Sequence, residues 1–235
     1  MNDREFAAAL RDRDAILILS HLRPDGDTLG SGAALCSALR RMGKTAYMFP
    51  NPETTARYLP YVAQFFAPAD FVPACVVAVD IATPDLFPQG FSGAVDLCID
   101  HHAGNSGYAD FTLLDGSAAA AAELMYRVIL EMGVDITPHI ADCLYTGVAT
   151  DTGCFRFSAT TANTHLVAAK LIEAGCHVEE LNTLLFDTKP RARMEAERIA
   201  RNHLEYYLDG RCALIYLTRD EIEQTGVDPA DLEEL

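Results

Sequence analysis

Basic residues are scarce in this 235-residue chain: 18 Lys and Arg stand against 34 Asp and Glu, a formal charge of −16. A protein that grips long nucleic acid displaces counterions with a cationic surface, so this deficit argues against tight binding to a long strand. Short or mononucleotide ligands stay open, because bound metal ions supply positive charge locally. Long apolar runs are lacking too; the longest, such as 15–19 and 75–79, are strand-sized and far short of a membrane span. The N-terminus, Met1-Asn2-Asp3-Arg4-Glu5, is charged with no apolar signal segment behind it, so a cytoplasmic location and no membrane partner are expected. The seven cysteines are odd in number and contain no Cys-x-x-Cys, which favours buried reduced thiols over disulfides or structural zinc. Gly-x-Ser-x-Gly, a phosphate-binding Gly-Lys-Ser/Thr loop and Gly-x-Gly-x-x-Gly are all missing.

What the chain does have is enough apolar residue, 50%, for one sizeable core. Residues 3–12 pattern as a short helix, 15–20 as a buried strand and 29–42 as an apolar helix. Further strands are expected at 45–49, 75–80 and 95–100, and helices at 117–132, 138–150, 163–174 and 178–186. Short apolar strands alternating with helices predict an α/β fold, a doubly wound and mostly parallel sheet. Pro190 opens a charged helix over 191–208, followed by a strand at 211–217 and a short acidic helix. The expected organisation is a first domain over 1–187, a linker helix over 188–208 and part of a second α/β domain over 209–235. One strand and one helix cannot bury a core alone, so that segment needs the rest of a domain or a partner chain, a second copy included.

Ligands of such sheets gather beyond the carboxyl ends of the strands. There the sequence places His21-Leu22-Arg23-Pro24-Asp25-Gly26-Asp27, then Asp80 in VVAVDIATP, then Asp100-His101-His102. Asp151 follows in GVATDTGCFRF. Each has an ordinary alternative: helix-capping or turn-forming aspartates at 25, 27, 80 and 151, and a surface histidine pair at 101–102. Together they are a set of carboxylates and imidazoles with no thiolate, which favours Mn²⁺, Mg²⁺ or Fe²⁺ over structural zinc. A pair of such cations cleaves a phosphoester without a serine or cysteine nucleophile.

At HLRPDGDTLGS, VAVDIATP, IDHHAGNSGYADF and LYTGVATDTGCFRFSATT the chain resembles the DHH phosphoesterase superfamily, and most of all its nano-RNase and phosphoadenosine-phosphate phosphatase branch. The resemblance implies hydrolysis of short oligoribonucleotides and of the 3′-phosphate of adenosine 3′,5′-bisphosphate, with two divalent cations, Mn²⁺ foremost and Mg²⁺ as the alternative. It implies that His21, Asp25 and Asp80 hold one cation and that Asp27, Asp80, His101 and Asp151 hold the other, with Asp80 bridging. His102 would meet the scissile phosphate or its attacking hydroxide, and Asp100 would orient an imidazole, making Asp80, Asp100 and His102 the expected catalytic groups. Arg156 is a further candidate for phosphate contact, its ordinary reading being a solvated strand arginine. The branch also carries a Gly-Gly-x-His-like substrate loop in its second domain, and these 235 residues contain none. The alternatives are another hydrolase of the superfamily (a manganese pyrophosphatase, a cyclic-dinucleotide phosphodiesterase or a single-strand exonuclease) or a non-catalytic nucleotide-binding module. Tyr108, Phe111 and Phe155–Phe157 are base-stacking candidates, with core packing as the commoner use of such rings.

Overall fold

The computed structural model of the chain describes residues 1–227 and residue 232. It has two compact units, with the boundary between Leu185 and Phe186. In the first unit a parallel five-stranded sheet is built from β1 (Ile16–Leu19), β2 (Ala46–Met48), β3 (Cys75–Val79), β4 (Leu97–Asp100) and β5 (Phe111–Leu114). Their order is β2-β1-β3-β4-β5. Ile16 pairs with Ala46 on one side and Cys75 on the other, so β1 lies inside the sheet. β1 and β4 are buried along their whole length, β1 as an unbroken apolar run and β4 as three apolar residues ending on buried Asp100. The α/β, doubly wound fold expected from the sequence is the observed one.

Helices α1 (Asp3–Arg11), α2 (Gly26–Arg41), α3 (Leu59–Val62), α4 (Ala121–Glu131), α5 (Pro138–Asp151), α6 (Ala162–Glu173) and α7 (Val178–Asn182) complete the unit. α2 starts three residues before the expected 29, because Asp25 acts as its N-cap, accepting from the N–H groups of Asp27 and Thr28. α4 starts at Ala121 rather than 117, although alanine favours helix throughout that run. Its N-cap position, Ala120, has no side-chain acceptor; the N–H groups of Ala121 and Ala122 donate instead to the Asp27 carboxylate, at 2.6 and 2.9 Å. The helix expected over 178–186 leaves α geometry after Asn182 and continues as a π turn over Thr183–Asp187. β5 has no counterpart among the expected strands; its outward residues Phe111 and Leu114 are exposed, as suits an edge strand.

α2 lies against α5 at a distance only missing side chains allow. A Cβ on Gly30 would meet the carbonyl oxygen of Cys143, and one on Gly26 would lie 2.6 Å from Thr150 Cγ2. These pairings run antiparallel, so the N-terminus of α2, with Asp25 and Asp27, abuts the C-terminus of α5, which ends on Asp151.

In the second unit, α8 (Arg191–Asn202) contacts α9 (Arg219–Thr225), and β6 (Glu205–Tyr207) pairs antiparallel with β7 (Cys212–Leu214). The helix expected to reach 208 thus stops at Asn202, where the chain turns into β6, whose residues are all exposed. The strand expected over 211–217 is confined to Cys212–Leu214, and most of the acidic segment after Val227 lies outside the described residues.

Gly147 gives a direct test of the α2–α5 contact. An added Cβ would lie 2.6 Å from Asp27 Oδ1 and 2.8 Å from Ala122 Cβ. Alanine gains about 1 kcal/mol of helix propensity over glycine, but overpacking a rigid site costs about 1–3 kcal/mol. Gly147→Ala is therefore expected to lower the midpoint of denaturant unfolding. An unchanged or raised midpoint would refute the close packing.

Candidate metal centre

The strand order reverses at β1, with β2 on one side of it and β3 on the other, and an open α/β sheet binds ligands at such a switch point. His21 lies two residues beyond β1, Asp80 one residue beyond β3, and β4 ends on Asp100 with His101 and His102 next. Local bonds fix these loops. Thr28 Oγ1 donates to Val79 O at 2.7 Å and accepts from His21 N, stitching the first turn of α2 to two strand ends. Asn51 Nδ2, from the loop after β2, donates to His21 O at 2.8 Å. Asp80 sits in left-handed backbone at φ 59°, a conformation that aspartate tolerates better than most residues and that recurs at functional sites.

All six expected cation ligands come together. His21 Nε2 lies 3.4 Å from Asp25 Oδ1 and 3.8 Å from Asp80 Oδ2. His101 Nε2 lies 3.3 Å from Asp151 Oδ2, 3.4 Å from Asp80 Oδ1 and 4.0 Å from Asp27 Oδ2. Asp80 thus turns one oxygen toward each imidazole. Octahedral ligands on bonds of about 2.1 Å stand about 3 Å apart when adjacent and about 4 Å apart when opposed, so these spacings suit groups that share a cation. Two ligand trios match the expected sets, His21–Asp25–Asp80 and Asp27–His101–Asp151; a third, Asp80–His101–His102, was not anticipated as a ligand set.

The direction of the imidazoles makes the fit sharper. His21 Nδ1 is 2.7 Å from Leu22 O and His101 Nδ1 is 3.2 Å from Ala118 O. A carbonyl only accepts, so each Nδ1 carries the proton and each Nε2 turns a lone pair on the carboxylates. Lone pair against carboxylate is repulsive unless a cation or a proton lies between them. Asp80 Oδ1, buried and without a hydrogen-bond partner, has the same requirement. Asp151 adds to it, standing at a helix C-terminus, where the macrodipole disfavours an anion and favours a cation. The residues present fit divalent cations.

Titration follows from this crowding. Burial first, then the Asp151 and Asp25 charges, raise Asp27 to about 7, against the opposing pull of His101 and of the Ala121 N–H bond. Asp151 is likewise raised to about 7, by burial and then by Asp25. Asp80 is pushed well above the ordinary carboxylate range by burial and by its acidic neighbours, Asp27 first among them. For His21, burial pulls the pKa down, but Asp25 beside it prevails and holds it above the usual histidine value. Burial also works upward on half-exposed Asp25, and there the His21 contact and the Thr28 and Asp27 N–H groups win, holding it low.

His102 differs from the other two imidazoles. Its Nδ1 is 2.8 Å from Asp100 Oδ1, and its side chain is half exposed. The Asp100 contact raises its pKa. Asp100 itself is fully buried and held low: burial pulls upward and is outweighed by bonds from His102 and Asn105. Asn105, Thr28 and Ser31, whose hydroxyl donates to Asp27 Oδ1 at 3.2 Å, were not singled out from sequence, though all three lie inside the quoted motifs. Arg156 is the expected site residue that is not brought in. It is exposed in a turn, not a strand, and its Nε donates to Gly153 O at 2.5 Å. Of the candidate stacking rings, Tyr108 packs edge-on against Phe87 and donates to Ile81 O, Phe155 stacks on His165, and Phe157 is exposed over Gly153.

The model of the DHH family, N-terminal domain, matches residues 15–148, more than half of the chain. The chain belongs to the DHH family. A Thermus thermophilus protein named a bifunctional oligoribonuclease and PAP phosphatase is 37% identical over 172 residues, covering 72% of this chain and 53% of that protein. A Bacillus subtilis protein of the same name is 28% identical over 229 residues, covering 94% of this chain and 72% of its own length. The chain thus spans about half of the first relative. Among solved structures, an exopolyphosphatase-related protein from Bacteroides fragilis superposes with a TM-score of 0.86 at 23% identity, over 98% of this chain and 73% of that one, which shows the shared fold.

Asp27 and Asp151 bind protons in the metal-free fold up to about 7 and in the unfolded chain only to 3.8. Their contribution is therefore lost as pH rises between those values. The raised His21 and His102 act in the same direction: what they contribute is present below 6.5 and lost as pH rises through their folded values. Asp25 and Asp100, held low, contribute stability that is lost only as pH falls below 3.8. The metal-free protein should accordingly melt at a lower temperature at about pH 8 than at about pH 5, and Mn²⁺ should raise the melting temperature more at the higher pH. A melting temperature that rises with pH in the metal-free protein would contradict the crowded-acid arrangement.

Proposed function

We propose that this chain is a metal-dependent phosphoesterase that hydrolyses short oligoribonucleotides and the 3′-phosphate of adenosine 3′,5′-bisphosphate by a two-cation mechanism. His21, Asp25 and Asp80 would hold one cation, and Asp27, Asp80, His101 and Asp151 the other. The mixed carboxylate and imidazole donors favour Mn²⁺, with Mg²⁺ next. The observation that carries this reading is Asp80: buried, one oxygen unpartnered, and set between two imidazoles that each present a lone pair. When bound, such cations polarise phosphoryl oxygens and acidify water.

The residues of the chain do the rest. Asp80 keeps the two cation sets in a fixed relation, because its backbone is locked at the end of β3. His102, with Nδ1 turned inward to Asp100, offers Nε2 outward to a phosphate oxygen, and its raised pKa favours the cationic imidazole there. The acidic surface repels a long polyanion and leaves this compensated pocket for a short one. To the same proposal belongs the reading of 188–208 as a linker and of 209–235 as part of a substrate-binding domain, with the linker helix ending at Asn202, because β6 lies within 188–208 and pairs with β7.

Asp80→Ala is expected to abolish turnover and weaken binding at both cation sites, since one carboxylate serves two ions. Undiminished turnover, or loss of one cation alone by titration calorimetry, would refute the bridging role. A chelator should abolish activity, and Mn²⁺ should restore it better than Ca²⁺, whose larger and looser shell suits these spacings poorly. Parallel assays with a ribodinucleotide, adenosine 3′,5′-bisphosphate and pyrophosphate decide the substrate; turnover of pyrophosphate alone would replace this assignment with a pyrophosphatase.

A further inference from the structure

Asp100 is fully buried at the end of β4, and its two oxygens are used differently. Oδ1 accepts from His102, at 2.8 Å from the ring Nδ1 and 3.2 Å from the backbone N–H. Oδ2 accepts from Asn105 Nδ2 at 2.6 Å, the shortest contact of the group. The orientation of the Asn105 amide is settled by its surroundings. Nδ2 faces Asp100 Oδ2, Ile81 O at 3.2 Å and, as a weaker sulfur acceptor, Cys98 Sγ at 3.6 Å, while Oδ1 faces a donor, the Gly107 N–H at 2.8 Å. Exchanging the amide oxygen and nitrogen would set oxygen against carboxylate and N–H against N–H. Asn105 thus spends both amide hydrogens, one on the carboxylate behind His102 and one on the residue that follows Asp80.

We propose that Asn105 is a positioning residue: through Asp100 it keeps the His102 Nδ1–H on the carboxylate, in the neutral and the cationic imidazole alike, with Nε2 directed at the substrate phosphate, and through Ile81 O it holds the His102 loop in register with the loop that carries Asp80. Its catalytic consequence rests on the reading of His102 as the residue that meets the phosphate; the placement of the Nδ1 proton does not. A buried carboxylate held on one oxygen alone can rotate, and the imidazole it anchors then loses its fixed orientation. Neighbouring bonds leave the rest of the loop in place without Asn105: Ser106 N donates to Ala82 O at 3.0 Å, and Tyr108 Oη donates to Ile81 O at 2.9 Å. Loss of the amide should therefore reach His102 before it reaches the fold.

The test uses Asn105→Asp, which keeps the acceptor for Gly107 and removes both amide hydrogens, and Asn105→Ala, which removes every side-chain bond without adding a charge. Two-bond ¹H–¹⁵N NMR of the metal-free protein, at a pH where His102 is neutral, should show the Nδ1–H tautomer in the parent and a shift toward the Nε2–H form, the usual one in solution, in both variants. In the Mn²⁺-loaded protein kcat should fall about tenfold to a hundredfold, with KM and Mn²⁺ affinity changed less than about threefold, because His102 is not among the proposed cation ligands. If Asn105→Asp fails to fold, Asn105→Ala carries both measurements. Parent-like tautomer populations in the variants would overturn the proposal, as would a loss confined to Mn²⁺ affinity. A parent protein that has the Nδ1–H tautomer and cleaves none of the phosphoesters would instead overturn the functional reading and leave the positioning role standing.

Discussion

The site depends on one close approach. α2 and α5 pack where Gly30 and Gly147 leave out side chains, and the antiparallel pairing delivers the N-terminus of one helix to the C-terminus of the other. Without that contact, Asp27 and Asp151 would belong to separate surfaces. With it, they face His101 together, while the parallel sheet brings Asp80 and His21 in from the other side. Helix ends supply three of the six gathered side chains, Asp25, Asp27 and Asp151, and strand ends the other three, His21, Asp80 and His101.

Asp27 shows how tightly structure and chemistry are merged. Its carboxylate accepts from the first turn of α4 and from Ser31, so it starts one helix and lies within another. It remains 4.0 Å from His101 Nε2 all the same. Asp25 has a double role too, capping α2 while facing His21. The choice between capping aspartate and cation ligand, natural when the sequence is read alone, is no choice for these two residues. A carboxylate has four lone-pair directions, enough to hold a backbone and still face a cation.

Much of this was legible in the sequence because it rests on local pattern. Apolar runs gave β1, β3 and β4, and the acids and imidazoles directly behind them gave the edge of the sheet where a site should form. β5 was missed because an edge strand with Phe111 and Leu114 exposed lacks the uniform apolar run of the inner strands. The start of α4 was misplaced because its first N–H groups are claimed by a residue 94 positions away, which no local propensity reports. The same holds for Asn105, whose significance lies in partners that the fold brings to it, and for Arg156, where the type of residue suggested a phosphate contact and the turn carries it elsewhere.

Every member of the acid cluster lies before Leu185, within the first compact unit. The crowding that raises Asp27, Asp80 and Asp151 is therefore a property of the first unit by itself, set by contacts that all fall before that boundary.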